Sequence, residues 1–307
     1  MTTSMKINLS DVCFLCKSEV EATDEHVFPK WLQNRFDLWD ESIVLKNGTR
    51  IRYKDLKIPC CKQCNTKYLS QIESSVSALL EKDDLPGLLQ ASEALFIWLY
   101  KIMYGINYKE IFLSHDRKEA KSQKIVSMES LASRDAYNAF VRYVRNEVVF
   151  EGFSPYSLFV FRLSDSTPKT FFYASEPYRL FASAIIGNVG VIASFQDDGY
   201  ITRDFAKFNV LNGLTELSVP QFGDLSAFVL ALKIRMKKLP DYVVTAEKER
   251  LVFRIQPPPE DPLYSDFNPE KHMEITRTAF GYCFERLIRE GASGMKEINY
   301  RSPFRYF

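Results

Sequence analysis

The sequence lacks the long apolar segments that would direct a chain to a membrane. No stretch comes near the roughly 18 consecutive apolar residues of a transmembrane helix, and the first eight residues lack the apolar core of a signal peptide. It also contains no internal repeat and no low-complexity tract. We therefore expect a cytoplasmic globular protein with no membrane partner.

A strong net charge is also missing. The 40 Lys and Arg residues are nearly balanced by 39 Asp and Glu residues, which leaves a net charge of +1. This gives no overall attraction to nucleic acid, so any binding face must be local. Residues 233–238 and the C-terminal Lys296, Arg301 and Arg305 are local basic stretches, and for each we favour a solvent-exposed face over a binding surface.

Histidine is scarce and cysteine is unevenly distributed. Only three histidines occur, and His115 and His272 stand alone, as surface or satisfied side chains do. Five of the six cysteines lie within residues 13–64, while Cys283 is expected in the core. In a reducing compartment, such crowding favours metal binding over disulfide bonds.

The crowded cysteines form two Cys-x-x-Cys pairs, Cys13/Cys16 and Cys61/Cys64. Each short loop can direct two sulfurs to one metal, so the two pairs predict a closed tetrahedral zinc site. Cys60 could replace Cys61 as a ligand, but the two-residue spacing of the first pair favours Cys61. Cys60 is then expected to be a buried thiol.

Residues suited to phosphodiester chemistry lie between and beside these pairs. Glu25 and His26 precede Pro29, and Asn65 directly follows the last zinc cysteine. A neutral imidazole can accept a proton from water, while carboxylate and amide oxygens suit Mg²⁺. Glu25 and His26 would point to opposite sides of a strand, so we expect a bend or bulge there. Asn65 is expected at a helix start, where an anion is favoured.

The order CxxC, EHVFPKWL, CxxCN and LSQIE resembles the HNH endonucleases of the zinc-bound ββα-metal (His-Me finger) group. The resemblance covers about residues 11–75. It implies that His26 is the general base and that Glu25 and Asn65 hold a catalytic Mg²⁺ or Mn²⁺. It also implies a structural zinc on the four cysteines and cleavage that leaves 5′-phosphate and 3′-hydroxyl ends. The zinc ligands that the resemblance implies are Cys13, Cys16, Cys61 and Cys64.

The sequence departs from the pattern of this group at two positions. The first metal ligand is commonly Asp in the group but is Glu25 here, which could alter metal preference. The middle Asn of the group, which orients the histidine, falls at Leu56. Asp55 and Asn47 are the candidate substitutes.

We expect an α+β protein with two domains. Residues 1–82 would form a small zinc-stapled ββα-metal domain, and residues 83–307 a larger mixed domain with helices and an antiparallel sheet. Within the first, Asn47-Gly48 predicts a hairpin turn and Asn65 a helix start. The further elements predicted are helices over 88–104, 127–146, 222–238 and 269–289, strands over 158–163, 170–174, 180–186, 189–195 and 251–255, a tight turn at 197–199 and an extended linker at 257–259.

The favoured function is metal-dependent hydrolysis of DNA, with RNA as an alternative substrate. The competing interpretation is a noncatalytic zinc module that binds nucleic acid or protein. In one version, His26 and Asn65 only stabilise the zinc knuckles, the short Cys-x-x-Cys loops around the metal. In the other, His26 replaces one of the cysteines as a zinc ligand. By analogy alone, small HNH units fused to unfamiliar domains suggest bacterial restriction or anti-phage defence. The larger domain would select the substrate, bind a regulatory protein or form a homo-oligomer, and thereby gate the nuclease.

Overall fold

The computed structural model confirms a mixed α+β protein with helices and antiparallel sheets. It describes residues 12–18, 23–119, 123–125, 142–145, 147–207, 211, 216–237, 241–256 and 265. Within these ranges, no helix combines the length and the apolar character that crossing a membrane requires. The predicted helices over 127–146 and 269–289, the linker at 257–259 and Cys283 lie wholly or mainly outside the described residues.

The N-terminal region is built from short strands and helices. Their bounds are β1 Thr23–His26, α1 Lys30–Arg35, β2 Ser42–Val44, β3 Arg50–Arg52, β4 Lys57–Cys60, a π-helical turn Cys64–Leu69 that continues as α2 Ser70–Glu81, α3 Leu85–Gln90 and α4 Ser92–Glu110. Strands β2 and β3 form the predicted hairpin, and Gly48 has the positive φ (77°) that its turn requires. The helix predicted after Asn65 is confirmed, although its first turn is π-helical.

Helix α4 is the buried centre of this region, as its continuous apolar sequence predicts. Every residue from Leu95 to Tyr108 is buried, and Trp98 and Tyr104 are among the largest fully buried side chains. It packs against α2 and β4. The predicted single helix over 88–104 is interrupted at Ala91, where α3 ends and α4 begins.

The later elements form two further sheets. Their bounds are β5 Val148–Phe150, β6 Tyr156–Leu163, β7 Phe171–Glu176, β8 Phe181–Ile186, β9 Val189–Phe195, α5 Tyr200–Lys207, β10 Glu216–Leu217, α6 Val219–Arg235, β11 Tyr242–Glu247 and β12 Arg250–Ile255. One sheet has the order β10-β6-β9-β8-β7, with antiparallel pairs from β6 to β7. The other has the order β11-β12-β5, with β12 and β5 parallel.

The five-stranded sheet carries α6 against its central strands. Strands β8 and β9 are buried along their whole length. Phe222 of α6 packs closely on Gly190 of β9, where an added Cβ would lie 2.6 Å from a carbon of the Phe222 ring. Lys233 is also buried, and its Nζ donates to the carbonyl oxygens of Phe195 (2.8 Å) and Gln196 (3.0 Å). The solvent-exposed face predicted for 233–238 is therefore wrong at Lys233.

The chain divides into two compact units. One contains Met1–Glu151 and Val244–Phe253, and the other Gly152–Val243 and Arg254–Phe307. The boundary predicted after residue 82 falls inside the first unit, because α4 packs on α2 rather than beginning a separate core. Pro86-Gly87 marks the first turn of α3 instead of a linker, with Asp84 capping it through a hydrogen bond from the Gly87 amide (2.9 Å).

Candidate functional site

Four cysteines from the two Cys-x-x-Cys pairs converge on one point. The Sγ atoms of Cys13, Cys16, Cys61 and Cys64 lie within 4.8 Å of one another, and Cys16 Sγ is 3.8 Å from Cys61 Sγ. Tetrahedral zinc with Zn–S bonds of about 2.3 Å places its sulfurs about 3.8 Å apart, so the spacing and the donor chemistry fit. The cluster can hold a metal ion such as zinc.

Cys60 lies beside the cluster without being one of the four. It is fully buried, and the hydrogen bond from its thiol lowers the pKa of Cys13 to about 4. Burial raises the pKa of Cys61 and of Cys64. A metal must therefore displace protons from those two thiols when it binds.

Two cations lie close to the sulfurs. Burial lowers the pKa of Lys17, and the Cys13 and Cys16 thiolates oppose that effect in part. The pKa of Arg145 is raised against burial, mainly by the Glu147 carboxylate and to a smaller extent by Cys64 and Cys16. Lys17 Nζ also donates to the carbonyl oxygen of Phe14 (2.9 Å), within the first knuckle. Four thiolates around a divalent ion carry a net charge of −2, which these cations partly offset.

Strand β1 places Glu25 and His26 on opposite sides. It pairs with β4 in continuous antiparallel register from Thr23↔Cys60 to His26↔Lys57, so the bulge expected there is absent from β1. Glu25 is 6% exposed, whereas His26 is half-buried. The strand alternation therefore holds, and the two side chains do not converge by a local distortion of β1.

His26 has the electrostatic setting of a neutral imidazole. Burial lowers its pKa, and the charges of Lys57 and Lys30 lower it further. Its ring centroid is 6.0 Å from that of Trp39, and its buried Nε2 has no hydrogen-bond partner among the described residues. The metal-binding cluster consists of the four cysteines without His26, and four sulfurs already complete a tetrahedral site.

Glu25 is held in a buried ion cluster. Its carboxylate accepts a hydrogen bond from Lys101 Nζ, which also donates to Glu73 at 2.6 Å and to the His26 carbonyl oxygen at 2.8 Å. Lys101 is 3% exposed, and its carboxylate partners raise its pKa against the effect of burial. A lysine inside an apolar helical run was the signal that could have identified this cluster.

Asn65 lies at the first turn of the helix that follows the second cysteine pair. Its backbone N–H donates to the Cys61 carbonyl oxygen (3.0 Å), so the cysteine cluster fixes the start of this helix. The turn is π-helical, a rare geometry that often occurs near functional sites. The side chain is half-buried.

The position expected for the middle asparagine belongs to the core. Leu56 is fully buried, and its carbonyl oxygen accepts from the Val27 amide (3.0 Å). Asp55 is paired with Arg52 (2.7 Å), and Asn47 donates from the hairpin turn to the carbonyl oxygen of the distant Ser114 (2.7 Å).

Comparisons with protein-family models, with curated proteins and with solved structures found no match to this chain.

Proposed function

We propose that this chain is an HNH-type endonuclease that hydrolyses DNA phosphodiester bonds, with a structural zinc and a catalytic Mg²⁺ or Mn²⁺. One observation carries the proposal: the four-cysteine cluster joins the Cys13/Cys16 loop before β1 to the Cys61/Cys64 loop after β4, where the next helix begins. The strand that carries His26 and the turn that carries Asn65 thus belong to one metal-closed segment. This arrangement supports the ββα organisation that the resemblance implies.

The setting of His26 supports a role as general base. Hydrolysis of a phosphodiester needs a group that removes a proton from water and positive charge for the phosphate oxygens. Because burial and the nearby Lys57 and Lys30 lower its pKa, the His26 imidazole is neutral at pH 7 and can accept that proton. The same two lysines provide positive charge beside the imidazole, where an anionic phosphate would bind.

The residues fit a catalytic divalent ion only in part. Asn65 offers an amide oxygen, but the Glu25 carboxylate is engaged by Lys101 and must share or give up that contact to hold Mg²⁺. A bound ion would supply positive charge for the developing phosphate oxyanion. The engagement of Glu25 also favours the alternative function, a zinc module that binds nucleic acid or protein without cutting it.

A role in restriction or anti-phage defence, with the second unit gating the nuclease, extends this proposal by analogy only. Under gating, the purified chain alone cuts slowly until its partner or signal is added. The partner would be a regulatory protein or a second copy of the chain.

The test is cleavage of supercoiled plasmid DNA, and of a structured RNA in parallel, with Mg²⁺ or Mn²⁺. His26→Ala should retain its zinc and lose nicking, because only the proton acceptor is removed. His115→Ala is the matched control, since it deletes an exposed histidine of the same unit and should cut like wild type. Equal nicking by wild type and His26→Ala would rule out the nuclease assignment. DNA bound but never cut by any of the three would favour the zinc module.

A further inference from the structure

Helix α4, which lies outside the zinc motif, lines the β1–β4 strand pair through three positions on one of its faces. Lys101 bonds the His26 carbonyl oxygen (2.8 Å), and Lys109 bonds the Lys57 carbonyl oxygen (3.1 Å) on the paired strand. Between them, Gly105 allows close approach to Val27. Residues four apart share a helix face, so these three contacts form one continuous surface.

The contact at Gly105 is tight. A Cβ added there would come within 2.7 Å of Val27 Cγ2 and 2.9 Å of Val27 Cγ1, and Val27 is fully buried. Glycine therefore permits an approach of α4 to the residue after His26 that a side chain would prevent. The strand end is held by packing as well as by the lysine hydrogen bonds.

Lys101 uses all three of its ammonium protons at this strand end. Its acceptors are the carboxylates of Glu25 and Glu73 and the carbonyl oxygen of His26. Burying a lysine is costly unless its charge is paired and its protons are bonded, and here both conditions are met. Two of the three acceptors belong to the consecutive residues that the nuclease proposal needs.

We propose that Lys101 is the positioning residue of the nuclease site, and that it fixes the direction of His26 and Glu25 from helix α4. The proposal rests on the proposed nuclease function. The hydrogen bond to the His26 carbonyl fixes the peptide from which the imidazole extends. The ion pair fixes the Glu25 carboxylate, which under the nuclease proposal shares this contact with the metal ion. Residues 11–75 are then insufficient for a competent site, because its orientation depends on a helix that begins at Ser92.

The test compares full-length Lys101→Met and Lys101→Arg with Lys82→Met, which removes an exposed lysine just after α2. We expect zinc-loaded Lys101→Met to lose kcat by about tenfold to a hundredfold with little change in KM, since a displacement of about 1 Å can cost a hundredfold. Lys101→Arg, which keeps the charge and the donors, should recover part of the rate. Lys82→Met should behave as wild type.

A second measurement reports on positioning without cleavage. The chain has three histidines, so the imidazole resonances of protein labelled at histidine can be assigned with His26→Ala. Lys101→Met should shift the His26 resonances and leave those of exposed His115 unchanged, whereas a general loss of structure would move both. If zinc-loaded Lys101→Met keeps the wild-type His26 resonances and kcat, Lys101 has no positioning role.

Two outcomes separate this inference from the nuclease proposal. If His26→Ala abolishes cutting but Lys101→Met does not reduce it, the nuclease stands and the inference fails. If no variant differs in cutting, the nuclease proposal fails, while the His26 resonances still test the orienting role. Should Lys101→Met not fold, Lys101→Met/Glu73→Gln removes one of the two carboxylates that would be left without their cation, and a wild-type rate and spectrum in this variant would overturn the inference.

Discussion

The substitution Gly105→Ala sets two opposing effects against each other in the middle of α4. Alanine is favoured over glycine in a helix interior by about 1 kcal/mol. The added Cβ would, however, lie 2.7 Å and 2.9 Å from the two Val27 methyl carbons, well inside ordinary contact distance. Because Val27 is fully buried in strand-end packing, it has little room to move, and overpacking of this kind costs about 1–3 kcal/mol.

We therefore expect Gly105→Ala to destabilise the first unit by about 1 kcal/mol net of the helix gain. Val27→Ala removes the two methyl groups that the new Cβ would meet, at a cost of about 2 kcal/mol for the cavity. In the double variant the new methyl group enters the vacated space. The double variant should therefore be more stable, by about 1–3 kcal/mol, than the sum of the two single effects predicts.

The assay is urea unfolding of the zinc-loaded full chain, followed by tryptophan fluorescence, for the wild type, both single variants and the double variant. Trp31 and Trp98 stack in this unit with ring centroids 5.9 Å apart, which gives a local probe. If Gly105→Ala raises stability by the amount that helix propensity alone predicts, the close approach of α4 to Val27 is refuted. Additive effects in the double variant would refute it equally.

Three further predictions concern the metal cluster and the second unit. Cys61→Ser should lose the metal and unfold the N-terminal segment, whereas Cys60→Ser should keep one metal per chain, as measured by elemental analysis after dialysis. Zinc affinity should fall as pH falls from 8 to 6, because burial raises the pKa of Cys61 and Cys64 and protons compete for the thiolates, and competition with a coloured chelator would measure it. In the second unit, burial raises the pKa of Asp198 from 3.8 to about 7, so the folded state binds the extra proton and stability should decline as pH rises from about 4 to 7. The free energy of unfolding of Asp198→Asn, measured with urea, should decline less than that of the wild type between pH 4 and 7. Identical pH profiles for the two proteins would contradict the burial of this carboxyl group.

Local sequence signals predicted the parts of the fold that depend on local chemistry. Asn47-Gly48 identified the β2–β3 hairpin, because its turn needs positive φ. The cysteine spacing identified the cluster, because short loops limit where sulfurs can go. Alternating and continuous apolar runs identified most of the five-stranded sheet, which is buried through β8 and β9.

Features that depend on tertiary partners were not predictable in the same way. Lys233 was read as part of an exposed basic run, but two backbone carbonyl groups accept its protons in the interior. Lys101 escaped notice because its acceptors, Glu25 and Glu73, are remote in sequence. The helix α5 that follows the tight turn at 197–199 was also missed, although its signal is local: the Asp197 side chain accepts a hydrogen bond from the Gly199 amide (3.2 Å) just before the helix begins.

The placement of the sulfur ligands has a consequence for how activity would depend on metal supply. The four ligands come from the two ends of residues 13–64, and β1, α1, the hairpin and β4 all lie between them. Withdrawing the ion removes the closure at the two ends of this loop, so the β1–β4 pairing and the hydrogen bonds from α4 must then hold the strands alone. Starvation for zinc would thus destabilise the proposed catalytic strand, and the protein would respond to the availability of one metal even when another is abundant.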